Sequence, residues 1–248
     1  MDLQIENIEN LTSLWRYASK KVGEYKYIKG YEIGLIAQSE WPNRLWFSSR
    51  VDIPLFTEII KQSPSPLAIT TWGDHLSYNQ EILASLGFEL KLEQYAMFVE
   101  LTQTPEYKDK ITIQQVRDYD SSVKWSAAFE DSFGYTLSAE TVMKTKDSVD
   151  YYLGFYEGET IGTIAVFNHN STVAGIHSMG ILPCMRRRGF AEALLIQVLN
   201  IAKHKGSKYA TLQSSEMGKG LYLKAGFQEQ FIIKSFIQSN KDKNELNR

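Results

Sequence analysis

Between residues 188 and about 205, Ala191, Leu194, Leu195, Val198 and Ile201 recur at helical spacing. The run closes with Lys203-His204-Lys205 and then Gly206: cations for the carbonyl end of a helix, and a glycine to terminate it. Other stretches have a different rhythm. Tyr151–Tyr156 and Ile161–Phe167 are aromatic and β-branched runs about Glu157-Gly158-Glu159, which predicts a hairpin. Asn168-His169-Asn170-Ser171 predicts a second turn, leading into a strand over Thr172–Ile181. Before these, Ile111–Val116 predicts a strand, and Tyr119–Phe133 and Ser138–Lys146 predict helices, the second with Ser138 as N-cap. After the long helix come a strand over Tyr209–Gln213, a short helix near Met217–Lys224 and a strand near Gln230–Ile237.

The polar, proline-containing stretch 102–110 divides the chain, and the polar tail 240–248 is expected to fray. Upstream of the divide the pattern is a weaker echo: strand Leu67–Thr71, helix Asn79–Leu86, strand Lys91–Leu101. Leu83-Ala84-Ser85-Leu86-Gly87-Phe88 parallels Tyr222-Leu223-Lys224-Ala225-Gly226-Phe227, with Gly-Phe between helix and strand in both. This suggests a duplication, although a helix followed by Gly-Phe is common. The expected class is α+β, with a mixed, mostly antiparallel central sheet flanked by helices.

Composition narrows the function. The 248 residues are 43% hydrophobic and 23% charged, ordinary for a globular chain. Lys+Arg 27 against Asp+Glu 29 leaves a formal charge of −2, which favours neither nucleic acid nor anionic lipid as partner. The apolar runs are short and the N-terminus lacks signal-peptide features, so a soluble, cytoplasmic protein is expected. One cysteine, Cys184, and four scattered histidines (75, 169, 177, 204) give no metal-ligand spacing; no metal is expected. Phosphate-loop, dinucleotide and nucleophile-elbow motifs are missing.

The strongest local signal is Met179-Gly180-Ile181-Leu182-Pro183-Cys184-Met185-Arg186-Arg187-Arg188-Gly189-Phe190-Ala191. Three arginines precede a helix, at the end where the dipole disfavours cations. Either this is a solvated basic turn, or an anion sits where side chains and free N–H groups converge.

These residues resemble the acyl-CoA motif of the GCN5-related N-acetyltransferases, Q/R-x-x-G-x-G/A, matched by Arg186-Arg187-Arg188-Gly189-Phe190-Ala191, with Ile181-Leu182-Pro183 standing for an upstream Val-x-Pro. A second landmark, L-Y-x-x-x-G-F, is matched by Leu221–Phe227, and the resemblance covers about residues 108–240. It implies the GNAT fold, duplicated: a degenerate half over 1–103, lacking the motif and carrying Leu83 at the place of Tyr222, and a catalytic domain over 108–248. It implies acetyl-CoA as cosubstrate and direct attack by the amine of a small molecule in a ternary complex. Rival readings are a non-catalytic acetyl-CoA-binding regulatory module and a protein or peptide N-acetyltransferase. A monomer or homodimer is expected.

Residue by residue, the resemblance assigns the cosubstrate to Met179, Gly180, Ile181, Arg186, Arg187, Arg188, Gly189, Phe190, Ala191 and Ser215. Ser215 stands where many relatives have Asn. Tyr222 matches the residue that protonates the departing thiolate. For a base, His177 is the candidate: as a residue of the same strand it is expected to share a sheet face with Met179 and Ile181. Packing is the alternative role for both Tyr222 and His177. Glu130 and Asp131 fall where the family's substrate loop lies and are candidates to attract a cationic amine; as solvated charges they need no such role. Gly218 and Gly220 are expected to let the backbone approach the cosubstrate.

Overall fold

A computed structural model describes residues 1–63, 67–103 and 111–239, with the backbone only at Gln103. The tail 240–248 and most of the divide at 102–110 lie outside the described residues.

The chain opens with a helix that the hydrophobic pattern did not announce, α1 (Leu3–Val22). Asp2 caps it, accepting from the N–H groups of Gln4 and Ile5. Leu11, Leu14, Trp15 and Ala18 give it a buried apolar stripe. The stripe continues toward the N-terminus as Asn7 and Asn10, both fully buried, and those polar positions hide the helix from a hydrophobicity reading. Then follow β1 (Glu24–Ile28), β2 (Tyr31–Leu35), β3 (Arg44–Phe47), α2 (Ile53–Gln62), β4 (Ala68–Trp72), α3 (Leu76–Ser85) and β5 (Phe88–Glu100). The second half is β6 (Thr112–Gln115), α4 (Tyr119–Phe133), α5 (Ala139–Thr145), β7 (Val149–Tyr156), β8 (Glu159–Phe167), β9 (Val173–Ile181), α6 (Phe190–His204), β10 (Tyr209–Ser215), α7 (Glu216–Lys224) and β11 (Gln228–Gln238).

The strands form one sheet in the order β1-β2-β3-β4-β11-β5-β10-β9-β8-β7-β6. Among the described strands only β3–β4 and β9–β10 run parallel. The sheet is thus mixed and mostly antiparallel, as the pattern predicts. Element order repeats across the halves: an antiparallel meander, a helical crossover to a parallel strand, a helix, and a closing antiparallel strand. The Gly-Phe echo is structural too. Gly87 and Gly226 both take left-handed φ, +82° and +92°, and each donates its N–H to a carbonyl of the last helical turn.

The halves trade their last strands. β11, from the second half, pairs with β4 of the first, and β5, from the first, pairs with both β11 and β10. On one sheet face α6 packs Leu194, Leu195, Val198 and Leu199 against Ile164, Ile176, Ala210 and Leu212. Each such side chain contributes about 1.5–3 kcal/mol on burial. On the opposite face α4 and α5 pack against β7 and β8, and α1 lies across the middle.

The buried amides of α1 satisfy the seam. Asn7 donates to Met97 O and accepts from Gln213 Nε2. Asn10 donates to Phe167 O at 2.8 Å and to His169 Nδ1 at 3.1 Å, and accepts from His177 Nε2 at 2.8 Å. A Cβ on Gly175 would stand 1.7 Å from Asn10 Oδ1, so only glycine allows this approach. Replacing Asn10 by Ala leaves the buried Phe167 O and His177 Nε2, and the half-buried His169 Nδ1, without this partner. The expected loss is about 2–4 kcal/mol, read as a lower urea midpoint with an unchanged m-value.

Candidate active site

The parallel pair β9–β10 is bonded only at its start: Tyr209–Thr211 register with Val173–Gly175. Beyond this the strands part. β10 continues along β5, and β9 along β8. The partition is sharpened in β9, where Thr163 faces Gly180 but Ala165 faces His177, so two residues of β9 oppose one of β8. Ser178, at φ +50°, absorbs the extra residue as a β-bulge.

The bulge reverses the expected side-chain parity. Met179 and Ile181 join Ile176 on the α6 face, packed against its core. His177 falls on the other face, under α1, with Ala165 as its strand partner. It is 9% exposed, and burial alone lowers its pKa from 6.5 to about 3. The structure therefore corrects the assignment of His177 as base. It is a neutral, sealed histidine whose Nε2–H is committed to Asn10, and it shares no face with Met179.

Past β9 a short 3-10 turn, Pro183–Met185, leads to the arginines. Each does something different. Arg186 reaches back, donating from Nε to Ile181 O at 3.0 Å and from Nη2 to Ser132 O at 3.1 Å. A cation at the carbonyl end of α4 is favourably placed, so this side chain ties turn to helix and does not converge on α6. Arg188 lies over the rings of Phe190 and Tyr156, at 4.8 and 5.3 Å from their centroids. Arg187, exposed and at φ +62°, supplies backbone curvature. Gly189 is the N-cap of α6 at φ +82°, with no side-chain cap. Ala193 N–H is the first to find a carbonyl, that of Gly189. Among the described residues, the N–H groups from Arg187 to Glu192 have no acceptor, and they open at the mouth of the splayed pair. Left-handed residues interleaved with free N–H groups make an anion-binding concavity, which suits the diphosphate of an acyl-CoA.

Tyr222, from α7, spans the opening. Its hydroxyl donates to Met179 Sδ at 3.5 Å, and its ring meets Phe227 at 5.7 Å, edge to face. Burial pushes its pKa up to about 12, so the phenol keeps its proton at neutral pH. Ser215 caps α7, accepting from Gly218 N at 3.3 Å. A Cβ on Gly218 would lie 3.4 Å from the Tyr222 ring, whereas one on Gly220 would meet nothing within 4 Å. Close packing therefore explains the first glycine but not the second. Glu130 and Asp131 are exposed in the last turn of α4, beside Ser132 and Phe133, which cover Gly180. Cys184 is exposed.

The equivalent place in the first half is built differently. β3 is paired with β4 along its whole length, Arg44–Phe47 against Ala68–Thr71. The N-terminus of α2 holds its own anion: the Asp52 carboxylate accepts from Leu55 N at 3.1 Å. Pro54 removes another N–H there. Leu83 is fully buried in the local core. A separate cavity of about 360 Å³, lined by Ile5, Ile8, Trp72, Asp74 and Phe231 among others, shares no residue with the splayed site. Among the described residues, no cluster of side chains could hold a metal ion, and no helix is long and apolar enough to cross a membrane.

A splayed parallel pair opening onto an uncapped helix N-terminus is the architecture of the acyl-CoA N-acyltransferase fold. Residues 115–227 match the model of the acetyltransferase (GNAT) family. Solved structures share the fold across the chain. A GCN5-related N-acetyltransferase from Kribbella flavida has a TM-score of 0.71 at 15% identity, covering 95% of this chain and 96% of its own. A GCN5-related N-acetyltransferase-like protein from Streptococcus suis 89/1591 has a TM-score of 0.59 at 12% identity, covering 94% and 98%. A tandem GNAT protein from the clavulanic acid biosynthesis pathway has a TM-score of 0.55 at 10% identity, covering 86% and 79%. No curated protein matches the chain.

The burial of His177 has a measurable consequence. The folded imidazole takes a proton only near pH 3, the unfolded one already near 6.5. Between these values the unfolded state binds the extra proton. The contribution of His177 is therefore complete above about pH 6.5 and is lost as pH falls, by about 1.4 kcal/mol per pH unit. Urea unfolding of wild type and His177→Gln from pH 4 to 7.5 should show the wild type losing stability toward acid more steeply than the variant. Parallel curves would mean that His177 is solvated.

Proposed function

We propose that the protein transfers an acetyl group from acetyl-CoA to the amine of a small molecule by direct attack in a ternary complex. On this reading residues 108–248 are the catalytic unit and 1–103 a degenerate copy. The observation that carries it is the row of unsatisfied N–H groups at the N-terminus of α6, at the mouth of the β9–β10 opening, with a protonated Tyr222 across the same opening.

Acetyl-CoA would supply an acetyl thioester. The free edge of β9 over Met179–Ile181 would take the pantetheine arm as a further strand. The N–H groups of Arg187, Arg188, Gly189, Phe190 and Ala191 would hold the diphosphate, with Arg188 fixed above its aromatic pair. Ser215 borders the opening, and Arg186 holds its rim to α4. In the reaction the amine nitrogen bonds to the carbonyl carbon and the carbon–sulfur bond breaks. The acceptor ammonium first loses one proton to solvent; Tyr222 then gives its hydroxyl proton to the departing sulfur, and the second proton lost by the acceptor nitrogen is matched by one that returns through solvent to Tyr222. Glu130 and Asp131 draw the ammonium form toward the opening. A small acceptor is favoured over a peptide because the loop before β3 is bonded onto the segment after α4: Glu40 N donates to Thr136 O at 2.8 Å.

Calorimetry of the full chain should give one acetyl-CoA per chain, since α2 is already capped by Asp52. Two sites would overturn the degenerate reading. Arg187→Glu combined with Arg188→Glu should weaken that binding by at least about tenfold, because carboxylates then stand beside the diphosphate. Unchanged affinity would remove α6 as the anion site. Tyr222→Phe should keep the affinity and lower kcat about 10²-fold in an amine screen with thiol detection; wild-type turnover would reduce Tyr222 to packing.

A further inference from the structure

β4 stops at Trp72, which pairs with Ile233, and the chain turns away through Gly73, at φ +84°, into α3. β11 extends past that point, so among the described residues Phe231 and Ile232 have no strand beside them on the β4 side. Phe231 also follows a bulge, where Gln230 is the extra residue opposite β5. The start of α1 is tied across this gap: Asn7 Nδ2 donates to Gln230 Oε1 at 2.6 Å. Gln4, Ile5 and Ile8 fall on one face of α1. With Trp72, Asp74, Phe231 and their neighbours they line the cavity of about 360 Å³.

The lining is mostly apolar, and Asp74 is its one ionisable residue. That carboxylate is uncommitted. Asp2, Asp52 and Asp118 each cap the helix that follows them. Asp74 stands just before α3 yet does not cap it; His75 is the N-cap, and no side chain bonds there. Among the described residues Asp74 pairs with no cation either. The rings beside it are equally open. Trp15 carries the Arg44 guanidinium and Tyr78 that of Arg50, at 4.3 and 3.9 Å from their centroids. Among the described residues, neither Trp72 nor Phe231 has a cation of the chain over its face.

We propose that this cavity binds a small hydrophobic monocation, an aryl or alkyl ammonium, with its charge on Asp74 and Trp72 and its apolar body on Ile5, Ile8 and Phe231. An indole face attracts a cation, and a carboxylate supplies the counter-charge; both disfavour an anion. Ile5 is 58% exposed on α1, apolar surface that such a ligand covers. The volume lies at the small end for ligand cavities, about 300–1,000 Å³, and suits one ring with a short chain better than a nucleotide. The cavity shares no residue with the β9–β10 opening, so the proposal holds whether or not the chain transfers acetyl groups.

The test uses the full chain without cosubstrate. 2-Phenylethylammonium, 2-phenylethanol and 3-phenylpropionate, close in size and different in charge, are titrated by calorimetry at low ionic strength. The cation should bind at least about fivefold more tightly than the alcohol, and the anion more weakly than either. Asp74→Asn should remove most of that preference, and Ile5→Ser should weaken cation and alcohol alike. Both positions are exposed, and circular dichroism checks that the fold is kept. Equal affinities for cation and alcohol, binding of none of the three, or a preference that survives Asp74→Asn would overturn the proposal; the last result places the ammonium elsewhere, as at Glu130 and Asp131. Should Asp74→Asn fail to fold, Ile5→Ser decides, because unchanged affinities in that variant refute the cavity as the site.

Discussion

β5 is bonded along both edges, to β10 on one side and β11 on the other, and the two halves hold together through that strand. Because β11 must in turn reach β4, neither half completes its sheet alone. With β10 anchored to β5 and β9 to β8, the parallel pair between them can open without exposing a sheet edge elsewhere. At the site ladder pairing is given up, and both flanking pairings sustain it.

Within the opening, a single extra residue sorts the chemistry. The bulge at Ser178 sends Met179 toward Tyr222 and leaves His177 behind with Asn10. A regular strand would have placed histidine and methionine together. Tyr222 at the opening and His177 on the far side of β9 are thus separated. Tyr222 keeps its phenolic proton and His177 takes up no second one, both because burial penalises the charged form.

The second half was largely legible in the sequence. Its helices and strands follow from periodicity, and the family motif fell on the turn that proved to be an uncapped helix start. What stayed hidden has physical causes. α1 buries Asn7 and Asn10 where a hydrophobic stripe was sought. The strands β1 to β3 are short, at most five residues each, and their partners are set by contacts that local pattern does not encode. The bulge is signalled by no glycine; it falls at a serine. The three arginines looked alike in sequence, yet their side chains go to α4, to the Tyr156–Phe190 pair and to solvent.

The exchange of closing strands also governs how the chain must be made. β4 waits for a neighbour, β11, that comes much later in the chain, so the N-terminal half cannot finish its sheet while the ribosome is still adding the second. Until residues 228–238 emerge, β4 and β5 each lack the strand that belongs between them. Pairings of such long sequence separation slow folding and leave exposed edges for longer. A truncated translation product would therefore carry a structural defect in the half that had been completely synthesised, far from the point of truncation.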